Sequence, residues 1–131
     1  MKADIHYEFH HVGIPCDTPR PGERYSAATG MYTADNPGRF RVQWHRFVPD
    51  SPLAPLLRTV PHVAFRVDDL AAAIDGETVI LGPYMPIDGY RVAVIDDHGV
   101  PIELIETELS DEVLWARAAR GEGELYRSGG D

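Results

Sequence analysis

The fold is decided by "HHVGIP" at residues 10–15 and "PHVAFRV" at residues 61–67, which resemble one another. Each stretch places a histidine, His11 or His62, at the mouth of a short apolar strand. A chain that begins two strands in the same way is expected to contain two related halves, and this pattern predicts an internal duplication.

The second half shows its elements most clearly. After the strand at 62–67, "DDLAAAIDG" (68–76) offers an aspartate cap and a terminating glycine, which predict a short helix. Further strands are predicted at 78–81, 90–96 and 100–106, while "GPYMPIDG" (82–89) is predicted to be a loop. This half therefore follows the order β-α-β-β-β.

The first half has the same strands without a helix. A strand at 7–15 is followed by a stretch rich in proline and glycine, which disfavours a helix. A small hairpin is predicted around "ATG" (28–30), and "RFRVQWHRFV" (39–48) alternates as a strand does. We therefore expect a degenerate first half.

Composition limits the function classes. The chain has 131 residues, 44% of them hydrophobic, which fits one compact domain. Its net charge of −9 and pI near 5.0 disfavour binding to nucleic acid or an anionic membrane. The single cysteine, Cys16, excludes an internal disulfide, and no apolar run is long enough to span a bilayer. With no signal-peptide pattern at the N-terminus, the chain is predicted to be cytoplasmic.

Strand alternation points to a metal site. Side chains alternate between the two faces of a strand, so each of four strands has an apolar face and a second face carrying a potential ligand. In a curved sheet with these strands side by side, the second faces would converge in a cleft. The candidate ligands are His11, Gln43, His62 and Glu103. Such a set suits Zn, Ni, Co, Mn or Fe.

Ordinary explanations exist for each of these residues. A histidine at the start of a strand is commonly a half-buried polar residue with no ligand. A carboxylate flanked by Ile102 and Leu104 rarely lies unpaired in a core, but an edge strand facing water would explain Glu103.

"HHVGIP", "PHVAFRVDDLAAAI" and "GVPIELIE" together resemble the vicinal oxygen chelate superfamily. That superfamily includes glyoxalase I, methylmalonyl-CoA epimerase, the extradiol dioxygenases, and the fosfomycin and bleomycin resistance proteins. The likeness covers about residues 7–107. A cupin ranks lower, because the sequence has no closely spaced His-X-His pair followed by a glutamate.

The resemblance implies an α+β fold in which two βαβββ-type modules form an open, cupped mixed sheet. It predicts one domain over residues 1–109, with module one at 5–49, a linker at 50–60 that includes one helical turn, and module two at 61–107. A C-terminal helix capped by Ser110 and a loose tail would occupy 110–131.

The resemblance also implies metal ligands on the first and last strands of each module, at the four positions already named. His-Gln-His-Glu looks like the epimerase's ligand set, whereas the dioxygenases use two histidines and a glutamate. The implied function is a metal-dependent isomerase, epimerase or lyase acting on a small vicinal-oxygen substrate through a metal-stabilised enolate. The alternatives are an Fe(II)-dependent dioxygenase and a metal-free drug-binding protein.

Further residues of the site follow from their positions. Glu103 and His45 are candidate catalytic bases, although a surface or supporting role is the more ordinary explanation of His45. Arg41 and Arg66 share the ligand-bearing faces and are candidates for binding a substrate anion. Tyr84 and Tyr90 are predicted to line the mouth. The expected partner is a small-molecule substrate, and the resemblance implies a homodimer. Leu114 and Trp115 on the C-terminal helix are candidate dimer contacts, with packing against the sheet as the alternative.

Overall fold

The computed structural model describes residues 1–36 and 38–120 and places eight strands of this part of the chain in one sheet. The strands are β1 (Tyr7–Pro15), β2 (Arg24–Ser26), β3 (Met31–Asp35), β4 (Val42–Phe47), β5 (His62–Val67), β6 (Val79–Ile87), β7 (Tyr90–Asp97) and β8 (Val100–Glu106), and the helices are α1 (Pro55–Thr59), α2 (Leu70–Ile74) and α3 (Asp111–Ala119). No helix in these residues has the length and apolar character needed to cross a membrane.

The sheet shows the internal duplication. Its strand order is β2-β3-β4-β1-β5-β8-β7-β6, so the first strands of the two modules lie side by side and antiparallel at its centre. Each first strand runs parallel to the last strand of its own module, with Gly13 opposite Gln43 and Ala64 opposite Glu103. The α+β prediction of two modules in an open, strongly curled mixed sheet is confirmed.

The first module has no helix between β1 and β2, as predicted. Residues 16–23 form an irregular segment against the outer face of the sheet. The Arg20 guanidinium lies 3.8 Å from the centre of the Trp44 ring, and Glu23 accepts two hydrogen bonds from Arg46. These cation–π and ionic contacts occupy the place that a helix has in the second module. The predicted hairpin is present as β2 and β3.

The second module is covered on its convex face by α2. This helix buries Leu70 and Ala73, and the Asp69 side chain caps it by accepting a hydrogen bond from the Ala72 amide. The predicted helix at 68–76 is therefore confirmed.

The concave face of the second module is covered by α3. This helix buries Leu114 among Ala64, Ile105 and their neighbours, and its predicted Ser110 cap is confirmed. Leu114 therefore packs against the sheet, which is the alternative to a dimer contact that the sequence left open. The side chain of Trp115 and the tail predicted to be loose, 121–131, lie outside the described part of the structure.

The prediction of a loop at 82–89 is wrong, because β6 continues from Val79 to Ile87. Three register shifts against β7 accommodate the extra residues, and Gly82 adopts φ +82°. β6 is also an edge strand of the sheet. A proline there can face the open side, where no ladder hydrogen bond is lost. The longer β6 brings Leu81 and Tyr84 over the concave face. β4 is shorter than the strand predicted at 39–48.

Candidate metal centre

Three of the predicted ligands come together on three adjacent strands. His11 on β1, His62 on β5 and Glu103 on β8 present ligand atoms that all lie within 4.8 Å of one another. His11 Nε2 lies 3.1 Å from Glu103 Oε2, and the two imidazole rings lie 5.5 Å apart, centre to centre. The central strands therefore bring ligands from both modules to one point.

Two polar atoms of this group, on His62 and Glu103, lack hydrogen-bond partners. Among the described residues, four buried side-chain atoms have none: Thr29 Oγ1, His45 Nε2, His62 Nε2 and Glu103 Oε2. Glu103 Oε2 also lies 3.1 Å from His11 Nε2, at ion-pair distance. An unpartnered buried polar group costs about 1–3 kcal/mol, so a concentration of such groups is typical of a site that can hold a ligand. Two imidazole nitrogens and a carboxylate oxygen are a donor set that fits a divalent transition metal.

The charge states also fit a cation. Burial lowers the pKa of His62, and burial with the neighbouring His62 and His11 lowers the pKa of His45 to about 3. Burial by itself would raise the pKa of Glu103, but the imidazoles of His11, His62 and His45 outweigh it and bring this pKa to about 2. At neutral pH, His45 and His62 are therefore uncharged and Glu103 is ionised, as metal coordination requires.

His10 is a residue of the site that the sequence interpretation missed. The pairing of β1 with β5 shifts register between Phe9 and His11, which makes His10 the extra residue of a bulge. His10 and His11 are consequently both buried, and their Nδ1 atoms lie 2.8 Å apart. One of the two nitrogens must carry the shared proton. When His11 Nδ1 donates to His10, His11 Nε2 keeps its lone pair for a metal.

Gly13 is the second missed residue. It pairs with His62 across β1 and β5, and the His62 ring lies over its Cα. The only signal in the sequence is the glycine two residues after the first-strand histidine, at the position that Ala64 holds in the second copy.

Gln43 lines the same cavity as the three clustered ligands. Its Nε2 donates a hydrogen bond of 2.9 Å to Asp35, and Asp35 in turn forms a 2.7 Å ion pair with Arg24. This chain fixes the amide nitrogen and leaves the oxygen as the end available to a metal. By register, Gln43 is the counterpart of Glu103 in the first module.

His45 lies beside the metal group without belonging to it. It is buried and stacks on His62 with 5.3 Å between ring centres. Its Nδ1 lies 3.0 Å from Thr33 Oγ1, while its Nε2 has no partner. The side chain therefore has one nitrogen held by the protein and one available to a ligand.

The group opens into a cavity on the concave face of the sheet. Tyr84 and Tyr90 both line it. Arg41 lines an adjoining depression that shares only His11 and Gln43 with this cavity, and Arg66 donates to the carbonyl of Thr107 in a third depression. Arg66 shares a strand face with His62, but Ala64 between them is buried under α3, so the cavity ends before Arg66.

No protein-family model matches the chain, and no curated protein matches it. Among solved structures, the fold is similar to the crystal structure of methylmalonyl-CoA epimerase from Mycobacterium tuberculosis. The two chains are 22% identical, the match covers 78% of this chain and 89% of that chain, and the TM-score is 0.49. A likeness at this level concerns the arrangement of strands alone.

Proposed function

We propose that the protein is a metal-dependent isomerase, epimerase or lyase acting on a small molecule with two neighbouring oxygens. The observation that supports this most directly is the convergence of His11 Nε2, His62 Nε2 and Glu103 Oε2 in a concave cavity, with two of these atoms buried and unpartnered. These residues would hold one divalent Zn, Ni, Co, Mn or Fe ion, and Gln43 would supply a fourth ligand through Oε1.

When bound, the metal would supply a Lewis acid that draws electron density from the substrate oxygens and acidifies the adjacent C–H bond. His45 would then move the proton. In the tautomer that donates Nδ1–H to Thr33 Oγ1, His45 presents the Nε2 lone pair to the cavity. A pKa near 3 makes it a weak base, so it can accept a proton only from a strongly acidified carbon. Glu103 is the other candidate base, but a carboxylate surrounded by imidazoles is better placed as a ligand.

The first test measures metal and proton exchange together. Protein prepared without chelators is analysed by mass spectrometry for metal. Small hydroxyketones and acyl thioesters are then incubated with it in D₂O, and NMR detects deuterium at the carbon beside the carbonyl. We expect His62→Ala and Glu103→Gln to lose both metal and exchange, and His45→Gln to lose exchange alone.

Exposed residues provide matched controls. Glu77→Gln and His98→Asn change the same residue types on the surface and should behave as the wild type. Metal binding that survives both His62→Ala and Glu103→Gln would contradict the proposed site. A chain that takes up no metal after reconstitution would instead favour a metal-free binding protein.

An Fe(II)-dependent dioxygenase is the second candidate. One observation favours it: the clustered residues are two histidines and one carboxylate, the set used by non-haem iron oxygenases. The chain would be reconstituted with Fe(II) under nitrogen and then transferred to air-saturated buffer. A dioxygenase would consume oxygen there when given a catechol. Gln43→Ala separates the two candidates, because it should leave oxygen uptake unchanged but weaken the four-ligand site.

A further inference from the structure

We infer that the substrate is amphipathic, with its two metal-binding oxygens at one end, a hydrocarbon body at the other, and no second charged group. This inference rests on the proposed function and names the substrate class of the same site. It follows from how polar and apolar side chains are divided around the cavity.

The donors occupy the centre of the sheet. His11, His45, His62 and Glu103 all belong to the four adjacent strands β4, β1, β5 and β8. The outer strands of both modules contribute mostly apolar side chains to the same cavity, among them Met31, Leu81, Ile87 and Val94. A molecule whose oxygens reach the central donors would therefore place the rest of its body against hydrocarbon.

The connector between the modules adds to the apolar wall. Leu53 and Leu57, the latter on α1, both line the cavity. Leu57 is buried, and Arg58 fixes the segment by donating a hydrogen bond to the carbonyl of Leu53. These leucines belong to neither strand repeat and hold no candidate ligand. Their place in the wall indicates a contact with a hydrocarbon part of the substrate.

The charges of the wall exclude a second anion. Among the described residues that line the cavity, Arg24 is the single Lys or Arg, and it is already in an ion pair with Asp35. Arg66 lines another depression, and Arg41 lines one that shares His11 and Gln43 with this cavity but none of its apolar residues. A second carboxylate or phosphate would lose its hydration in this wall without gaining a cation, and such a transfer is strongly unfavourable.

Alkyl hydroxamates test the inference, because each presents two adjacent oxygens to a metal. Binding of acetohydroxamate, hexanohydroxamate and the monohydroxamate of hexanedioic acid to the zinc-loaded full chain is measured by calorimetry. Full burial of a methylene strengthens binding about fourfold. We expect hexanohydroxamate to bind at least about tenfold more tightly than acetohydroxamate, and the terminal carboxylate of the third probe to abolish that gain.

Leu57→Ala should reduce the chain-length gain and leave acetohydroxamate binding unchanged. Leu56→Ala, on the same helix but outside the cavity wall, is the matched control. If Leu57→Ala fails to fold, Leu53→Ala, at a half-buried position, should show the same reduction of the chain-length gain. Equal binding of the short and long probes, or tighter binding of the carboxylate probe, overturns the inference while the metal site stands. Failure of zinc-loaded chain to bind acetohydroxamate overturns both.

Discussion

The Cα of Gly13 lies directly beneath the imidazole of His62: a Cβ built on Gly13 would be 2.0 Å from His62 Cε1 and 2.5 Å from Nε2. The ring can occupy its position only because residue 13 has no side chain. The backbone at Gly13 does not require φ above zero, so the restriction is one of space alone.

Gly13→Ala is therefore expected to displace the His62 ring. We expect a loss of about 1–3 kcal/mol in the free energy of unfolding, as for other overpacked sites, and a fall of about tenfold or more in metal affinity. Urea unfolding of the metal-free chain and a competitive zinc titration measure the two effects. In a His62→Ala background the methyl group meets no ring, so the stability loss should largely disappear. An equal loss in both backgrounds would show that Gly13 acts elsewhere.

His10→Leu is expected to weaken metal binding without unfolding the protein. The change removes the partner of His11 Nδ1, and loss of such a partner typically lowers metal affinity about 10–100-fold. His10→Asn can place an amide oxygen near the lost Nδ1 and should recover part of the affinity. His6→Leu, at an exposed position earlier on the chain, is the control. The supporting role is ruled out if His10→Leu binds zinc as tightly as the wild type.

Thr33→Val separates metal binding from proton transfer. The substitution keeps the shape of the side chain but removes the oxygen that holds His45 Nδ1. A buried nitrogen left without a partner costs about 1–3 kcal/mol, and the tautomer with Nε2 unprotonated is no longer favoured. We expect the rate of C–H exchange to fall at least about tenfold while zinc affinity changes little. Thr33→Ser should retain exchange, and unchanged exchange in the Thr33→Val protein would remove His45 from the reaction.

The metal-free chain is expected to lose stability as the pH falls. The folded pKa of His45 is about 3, below the ordinary 6.5, so the unfolded chain binds more protons between these values. The His45 contribution is complete above pH 6.5 and is lost as the pH falls towards 3, by about 1.4 kcal/mol per pH unit within that window. Glu103, with a pKa lowered from 4.5 to about 2, acts in the same direction at lower pH.

Urea unfolding in the presence of a chelator at pH 7, 6 and 5 measures this dependence. The slope between pH 6 and 5 should be smaller in His45→Gln, which cannot take up the proton. Stability that stays constant or rises on acidification over this range would contradict burial of an uncharged His45.

Strand alternation placed His11, His62 and Glu103 on one surface because pairing is regular from His11 to Gly13 and at His62 and Glu103. It could not predict His10, since one extra residue in β1 brings two consecutive side chains to the same side. Alternation also fails to say where along a strand a cavity ends. Arg66 lies on the same strand face as His62, but α3 covers Ala64 between them. Local periodicity cannot predict this, because α3 is distant in sequence from β5.

The course of β6 was unpredictable for a related reason. Gly82 and two prolines normally end a strand, yet an outermost strand that bulges can contain them. Edge position depends on the order of all eight strands. The residue types within β6 therefore cannot predict that this strand lies at the edge of the sheet.

His11 belongs to one half of the chain, and both His62 and Glu103 belong to the other. A bound ion would therefore cross-link the two halves where β1 pairs with β5. Separating β1 from β5 in the metal-free chain breaks backbone pairs and side-chain contacts such as that of Tyr7 with Phe65, and the loaded chain must also release a coordination bond. Amide hydrogens of β1 and β5 would then exchange more slowly with solvent once the metal is bound. Neither half expressed separately could bind the ion with the affinity of the whole chain.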